Sequence, residues 1–477
     1  MIAVEEFAES GGLHATKYDR QECQIGLVHL GYGAFHRAHQ AVYIDDYMDL
    51  SGDLRWGIAA INLRPSETAA FQSTQSVENG YLLKTTSPDG QREMRLVRPH
   101  CLFLDWSQQS SESEDILTRT SVHTVTITVT ESGYYLKDDW TLNVDDPVIA
   151  AEISGAEASS VYAFLARSLK RRMEAIDQPI NILCCDNIRS NGHILESNLL
   201  AYLHHIGADE LLNWVKQNTS FPCSMVDRIT PRATDDLEHE IADLFPGQHL
   251  SPVHGESYIQ WVLENKFCAP MPDLSVSGVE IVENVDPFEE TKIRILNGGH
   301  TALCYLGALA GHSTYDAAFA DPTLRAVFNS FQTEEVLPGL DMKLPFEKHD
   351  YLAQIASRFS NKAIADQLER ICMDGYSKMP VFIRPTLSSC LRQGILPKAA
   401  MFCIAGWYVY ARRFAAGQMP VHYNEPYWDQ LSPLLAEGQE ETFSRTKQLW
   451  GDVPESYPEF VSGLVSAIEE VESKWPA

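Results

Sequence analysis

Ile25-Gly26-Leu27-Val28-His29-Leu30-Gly31-Tyr32-Gly33-Ala34-Phe35-His36-Arg37-Ala38-His39-Gln40 is the stretch that decides the fold. Its first six residues read as a buried strand, the glycines as a turn, and the segment from Ala34 to about Leu50 as a helix. Strand, glycine turn and helix in that order give a Gly-x-Gly pair its meaning. Gly31 permits the tight turn and Gly33 lets the backbone approach a pyrophosphate. The helix N-terminus from Ala34 and Phe35 then offers N–H groups to phosphate oxygens. His36 stands where a third glycine is usual, so His36 and Arg37 either compensate with charge or simply pack on the sheet.

Moving outward, Trp56 to Leu63 reads as the second strand, after which a dinucleotide fold places an acid for the adenosine ribose hydroxyls. Glu67 is the nearest carboxylate and favours NAD by repelling a 2′-phosphate, whereas Arg64 would welcome one. Tyr81–Thr86 and Met94–Val97 flank a turn over Ser87 to Gln91, the pattern of a hairpin. Val122–Thr130 is strongly β-branched and ends in Glu131-Ser132-Gly133-Tyr134. After a helix over Ser160–Ala175, a further strand at Asn181–Cys185 ends in Asp186-Asn187-Ile188-Arg189. Polar clusters at the ends of strands joined by a crossover helix are where a parallel sheet puts its ligand. Extended pieces follow at Pro222–Pro231, Val253–Glu256, Tyr258–Leu263 and near Val279–Val285.

From Pro287 the pattern turns helical, with segments expected at Thr301–Ala310, Pro322–Gln332, Tyr351–Phe359, Lys362–Met373 and Pro397–Phe414. The predicted organisation is therefore a Rossmann-type α/β domain over residues 1–286 and an all-helical, substrate-binding domain over 287–477. At the junction stands Glu289-Glu290-Thr291-Lys292-Ile293-Arg294-Ile295-Leu296-Asn297-Gly298-Gly299-His300. On an ideal helix Lys292, Asn297 and His300 fall at roughly 0°, 140° and 80° around the axis, so one broad face presents all three.

Bulk composition narrows the function. With 65 acidic against 37 basic residues and a formal charge of -28, the surface repels nucleic acid and anionic membranes. No stretch reaches the length of a membrane span, and the acidic N-terminal lead lacks the features of a signal peptide, so a cytoplasmic protein is expected. The ten cysteines include no C-x2-C pair. Cys223, His254, Glu256 and Cys304 can be combined on paper as zinc ligands, but no spacing supports them, and no metal is expected. A nicotinamide-binding sensor without turnover is the non-enzymatic alternative.

Taking hydride from a carbinol carbon requires a base within about 3 Å of the hydroxyl oxygen and polar donors around it. Lys292 has the setting for that base, Asn187 and Asn297 for the donors, His300 for orienting substrate and Glu131 for passing the proton onward. Each also has a plain structural reading: Asn187 as a helix cap, Glu131 as a solvated or Arg189-paired acid, His300 as a packed helix histidine.

Seven separated blocks in order resemble the polyol-specific long-chain dehydrogenases, the mannitol dehydrogenase family: VHLGYGAFHRAHQA at 28–41, TVTESGYY at 128–135, CDNIRSNGH at 185–193, MVDRITPR at 225–232, IQWVLENKF at 259–267, EETKIRILNGGH at 289–300 and RFSNKAIADQLERICMDGYSKMP at 358–380. The resemblance spans nearly the whole chain. It implies a metal-free, NAD-dependent, monomeric enzyme that oxidises a polyol to a ketose at a site between its two domains. D-mannitol to D-fructose is the leading pair, with D-arabinitol to D-xylulose and fructuronate reduction as alternatives. It also implies Lys292 as general acid/base, Asn187 and Asn297 as oxyanion donors, His300 as a substrate contact and Glu131 as proton relay, with Asp227, Arg370 and Lys378 as further substrate contacts and Glu67 as the cofactor-selecting acid. Two departures stand out: Gly299 replaces a serine common in the family, bearing on the pocket floor, and Asn62 resembles the fructuronate reductases.

Overall fold

An apolar run needs cover on both faces, and the strand at the head of the glycine motif has it. In a computed structural model describing residues 13–75, 80–137, 139–231, 233–247, 250–340, 342–344, 346–419 and 422–476, six strands form one parallel sheet. They are β1 (Ile25–Leu30), β2 (Gly57–Asn62), β3 (His100–Asp105), β4 (Thr124–Ile127), β5 (Ile180–Cys184) and β6 (Thr219–Ser220), in the order β3-β2-β1-β4-β5-β6. That order reverses direction between β1 and β4, the topological switch point of a Rossmann sheet, where ligands gather at the carboxyl ends of the strands.

Alternation along β1 explains its burial. Val28 and Leu30 join a cluster with Ala59, Ile61, Val125, Ile127 and Ile182, while Leu27 packs on the opposite face with Ile58 and Leu183. The first face is covered by α3 (Val161–Ala175), capped by the Ser160 hydroxyl, and α4 (Asn191–His205); the second is covered by α2 (Gln40–Ser51). The helix expected from Ala34 to Leu50 is interrupted: α1 (Ala34–Ala38) ends at His39, whose backbone leaves helical geometry at φ -126°, ψ -90° before α2 begins. There the His39 Nε2 lies 2.8 Å from the Gln260 carbonyl, so a tertiary contact replaces helix continuity. β4 is shorter than the β-branched run, because beyond Ile127 the chain turns to follow Asp186.

Two smaller sheets complete this unit. Tyr81–Thr86 and Arg92–Val97 pair antiparallel as the expected hairpin, joined by Val253–Glu256 and His14–Ala15, and Ser224–Asp227 pairs with Gln260–Glu264, which continues to Glu280–Val282. Arg232, the last residue of the MVDRITPR block, lies outside the described residues.

The chain folds as two compact units, residues 1–86 with 92–286, and residues 87–91 with 287–477. In the second, every named element among the described residues is helical. Its core centres on α6 (Gly298–Leu309), which follows α5 (Asp286–Thr291), and on α8 (Lys398–Ala415), with α7 (Pro322–Ser330) and α9 (Pro458–Lys474) around them. A side chain at Gly406 would come within 2.5 Å of Leu306, so this glycine lets α8 cross α6 closely. The helix expected at Lys362–Met373 is not formed; only Leu368–Ile371 is helical. The backbone there pairs instead with the chain before residue 316, through Tyr315 N to Asp366 O at 2.8 Å and Leu368 N to Ser313 O at 2.9 Å, and Ala365 takes φ +43°. Among the described residues no helix is long and apolar enough to cross a membrane.

Candidate functional site

Gly31 is required by the fold itself. Its φ of +95° is left-handed, and a Cβ there would sit 2.0 Å from the Thr128 carbonyl oxygen, so β1 and β4 approach too closely for any side chain. Gly33 behaves differently. It precedes α1 with φ -93°, and an added Cβ would meet only the Gly31 carbonyl, 3.9 Å away. Nothing among the described residues needs that position bare, whereas a diphosphate lying on the loop would require it. These residues fit a dinucleotide.

Beneath the turn the His29 ring reaches Thr126 Oγ1 at 2.8 Å and the Gly31 carbonyl at 2.9 Å, and it stacks on His36 at 3.3 Å between centroids. His36 in turn meets His100, Nε2 to Nε2, at 2.9 Å. All three rings are fully or almost fully buried, and burial pushes their pKa values down, that of His29 to about 3. His36 therefore packs on the sheet, where burial favours its neutral form. Arg37 is also buried; its guanidinium lies over Tyr32 and Tyr81 and donates to Ser251 Oγ at 3.1 Å.

Further candidates of this unit lie at the carboxyl ends of β2, β4 and β5. After β2, Glu67 closes a short turn with its side chain exposed. Asn62 is buried, donating to Asp105 Oδ2 at 2.9 Å and to the Arg64 carbonyl at 2.9 Å, so it serves the turn. After β4, Glu131 begins a 3₁₀ turn and is exposed, following Thr130 at φ +67°. After β5, Asn187 is exposed, and Ser190, not Asn187, occupies the N-cap position of α4.

Sequence reasoning passed over Asp186. Its carboxylate accepts from the Val129 N–H at 2.9 Å, the Thr130 N–H at 3.1 Å and the Tyr134 hydroxyl at 2.7 Å, tying the Glu131 turn to the base of Asn187. Burial raises its pKa to about 6 against those hydrogen bonds, with Glu131 adding to the rise. An acid directly before Asn187 at a strand end was the available signal. Asp227 ends its strand almost fully buried, and neighbouring Arg228 donates to the carbonyls of Glu256 and Ala38, the second at 2.5 Å.

In the second unit, Lys292 and Asn297 are the first and last residues of a π-helical segment, π1 (Lys292–Asn297), inserted between α5 and α6. Such wide i,i+5 turns recur at functional sites, and they invalidate the angles expected from ideal α geometry. Lys292 is only 6% exposed, while Asn297 is partly open. His300 is clamped by aromatic rings, stacked on Phe359 at 4.4 Å and edge-on to Tyr315 at 4.6 Å, and the Tyr315 hydroxyl donates to the Gly299 carbonyl at 2.8 Å.

Arg370 pairs with Asp366, its Nε 2.9 Å from Oδ1. Lys378 donates from Nζ to the Ile371 carbonyl at 2.9 Å and to that of Met373 at 2.5 Å, which braces the intervening loop. Gly299 does not form a pocket floor: a Cβ there would meet Gln332 Nε2 at 2.9 Å and Phe328 at 3.0 Å inside the core. Among the described residues no group of three or more His, Cys, Asp or Glu is placed to hold a metal ion.

Residues 25–276 match the Mannitol dehydrogenase Rossmann domain, and residues 284–472 the Mannitol dehydrogenase C-terminal domain. The chain belongs to the mannitol dehydrogenase family. It is thereby one of the NAD-dependent polyol dehydrogenases. Relatives in the family include a D-arabinitol 4-dehydrogenase of Klebsiella pneumoniae, 36% identical over 90% of this chain and 94% of that protein. A mannitol 2-dehydrogenase of Phaeosphaeria nodorum is 33% identical over 95% and 80%. Among solved structures, Pseudomonas fluorescens mannitol 2-dehydrogenase in ternary complex with NAD and D-mannitol superposes with a TM-score of 0.88 at 29% identity, covering 99% of this chain and 97% of that one.

Proposed function

We propose that this mannitol dehydrogenase family member interconverts D-mannitol and D-fructose with NAD, using Lys292 as general base for oxidation and general acid for reduction. The observation that carries the reading is a lysine almost withdrawn from water at the head of a π-turn whose far end is Asn297. Burial of this kind is what a lysine needs to exchange a proton near neutral pH. NAD supplies the hydride acceptor; the chain's own residues handle the proton and the oxygen. In oxidation Lys292 Nζ takes the hydroxyl proton while Asn187 and Asn297 donate N–H groups to the oxygen as negative charge develops. Glu131, exposed on its turn, passes the proton to solvent, and His300, immobilised between Tyr315 and Phe359, orients the substrate. Asp227, Arg370 and Lys378 complete the assignment as polyol contacts, and Glu67 selects NAD over its phosphorylated form.

A second reading, D-arabinitol to D-xylulose, is favoured by the 36% identity to a D-arabinitol 4-dehydrogenase. Fructuronate reduction was suggested by Asn62, whose amide is engaged with Asp105 and Arg64 instead. A panel of mannitol, arabinitol and sorbitol, with fructose and fructuronate in reduction, each with both nicotinamide cofactors, tests the assignment. Mannitol with NAD should give the highest kcat/KM. Preference for arabinitol selects the second reading, and fructuronate far above fructose removes both. Turnover should survive exhaustive chelation; complete loss restored by zinc would overturn the lysine mechanism.

A further inference from the structure

We propose that Gln332 is a positioning residue whose side-chain amide holds open the π-turn carrying Lys292 and Asn297. The inference rests on the reading of Lys292 as the proton-transferring group.

Gln332 is completely buried, and its Nε2 donates to the Ile295 carbonyl in the middle of π1 at 2.9 Å. A carbonyl oxygen only accepts, so the group facing it must be the NH2 end of the amide. Within its own helix Ile295 O is reached by the Gly298 N–H, while Gly298 also reaches Ile293 O in the wider i,i+5 register. The π-turn thus has a bifurcated, weakened ladder at this point, and Gln332 supplies a donor from outside it.

Three features argue that this amide is retained for placement of the turn. Its Oε1 is buried without a hydrogen-bond partner among the described residues, an arrangement that costs stability and that an apolar side chain of the same size would avoid. Gly299, in the first turn of α6, leaves the space the amide occupies, since a Cβ would lie 2.9 Å from Nε2. Gln332 itself sits on a second π segment, Phe331–Val336, so one irregular turn braces another. A further brace comes from Arg294, buried in π1, whose Nη1 donates to the Gly339 carbonyl at 2.6 Å and whose Nε lies 3.3 Å from Thr386 Oγ1. Collapse of π1 to α register would remove one residue from the ladder and swing Lys292 by about 100° relative to α6.

The test uses the full chain with two volume-conserving variants, Gln332→Met and Gln332→Glu, alongside Lys292→Ala. Melting temperature, NADH affinity, and kcat and KM across pH are read for each. Gln332→Met should keep NADH affinity, because the glycine loop belongs to the other unit. Its kcat should fall about 10- to 100-fold, with a shifted pH profile. In Gln332→Glu the protonated acid can donate to Ile295 O and the carboxylate cannot, so activity relative to the parent should rise as pH falls. A packing defect would not follow pH in that way. Parental kcat and pH profiles in both variants would overturn the proposal, as would losses equal at every pH and matched by loss of NADH binding. Parental turnover in Lys292→Ala would instead remove the reading on which the proposal rests. Inactivity there with parental Gln332 variants would remove the brace alone.

Discussion

The glycine turn of the first unit and the π-turn of the second place their candidate functional groups by opposite means. Around Gly31 the strand pairs in steady register from Leu27 to Leu30 and the backbone then turns once, with position set by parallel strands and sealed by a contact that admits no side chain. Around Lys292 the backbone departs from regularity over a whole helical turn, kept there by groups from distant sequence: the Gln332 side chain and, through Arg294, the Gly339 carbonyl and the Thr386 hydroxyl. A sheet edge presents ligand-facing groups as a consequence of its topology, whereas two helical side chains five residues apart are brought into line by a wide turn, and that turn draws on outside support.

Separating the two regions by mutation gives the largest expected effects. Lys292→Ala should lower kcat by roughly 10²–10⁴-fold while NADH binding, followed by fluorescence, stays near parental. Equal loss of both would mean that the regions are not separable. Gly31→Ala should destabilise the first unit by about 2–4 kcal/mol, read as a lowered unfolding midpoint, because the methyl group has nowhere to go. Gly33→Ala should leave stability within about 0.5 kcal/mol of the parent yet weaken NADH binding, since its methyl meets ligand space and not protein. Identical behaviour of the two glycine variants would break the distinction between a fold-required and a ligand-required glycine.

Acid should sharpen the contrast by a smaller amount. His29, His36 and His100 are held neutral by burial, reinforced for His36 and His100 by neighbouring rings and arginines. Their folded pKa values lie below the unfolded one, so below about pH 6.5 the unfolded chain binds protons that the folded chain refuses. Stability is intact above that pH and declines as pH falls, for His29 by about 1.4 kcal/mol per pH unit until its folded value of about 3 is reached. Hydrogen exchange at pH 7 and pH 5.5 should show residues 25–40 losing protection before residues 298–309; simultaneous loss would place the acid-sensitive element elsewhere.

The legible part of the molecule is the part built on short-range periodicity. Strand β1, the glycine turn and the hairpin around residues 87–91 could be read because alternation and turn chemistry are local properties. His36 illustrates the limit: its place in the motif was visible, but its stacking on His29 and its hydrogen bond to His100 depend on rings 7 and 64 residues away in sequence. Lys362–Met373 illustrates another, since a helical pattern lost to backbone pairing with Ser313 and Tyr315. Asp186 went unnoticed because its role is to satisfy N–H groups of Val129 and Thr130, partners that appear only once β4 and β5 lie side by side.

Order and identity of the chemical groups were settled by the sequence alone: the glycines after the first strand, a lysine and an asparagine five residues apart, and acids and amides at predicted strand ends. Only tertiary structure decided their geometry. Winding Lys292 to Asn297 as a π-turn turns on one carbonyl, that of Ile295, and on a buried amide 37 residues away that reaches it. Local propensity favours the α register throughout that segment, and the donor that tips the balance is invisible until the chain has folded back on itself.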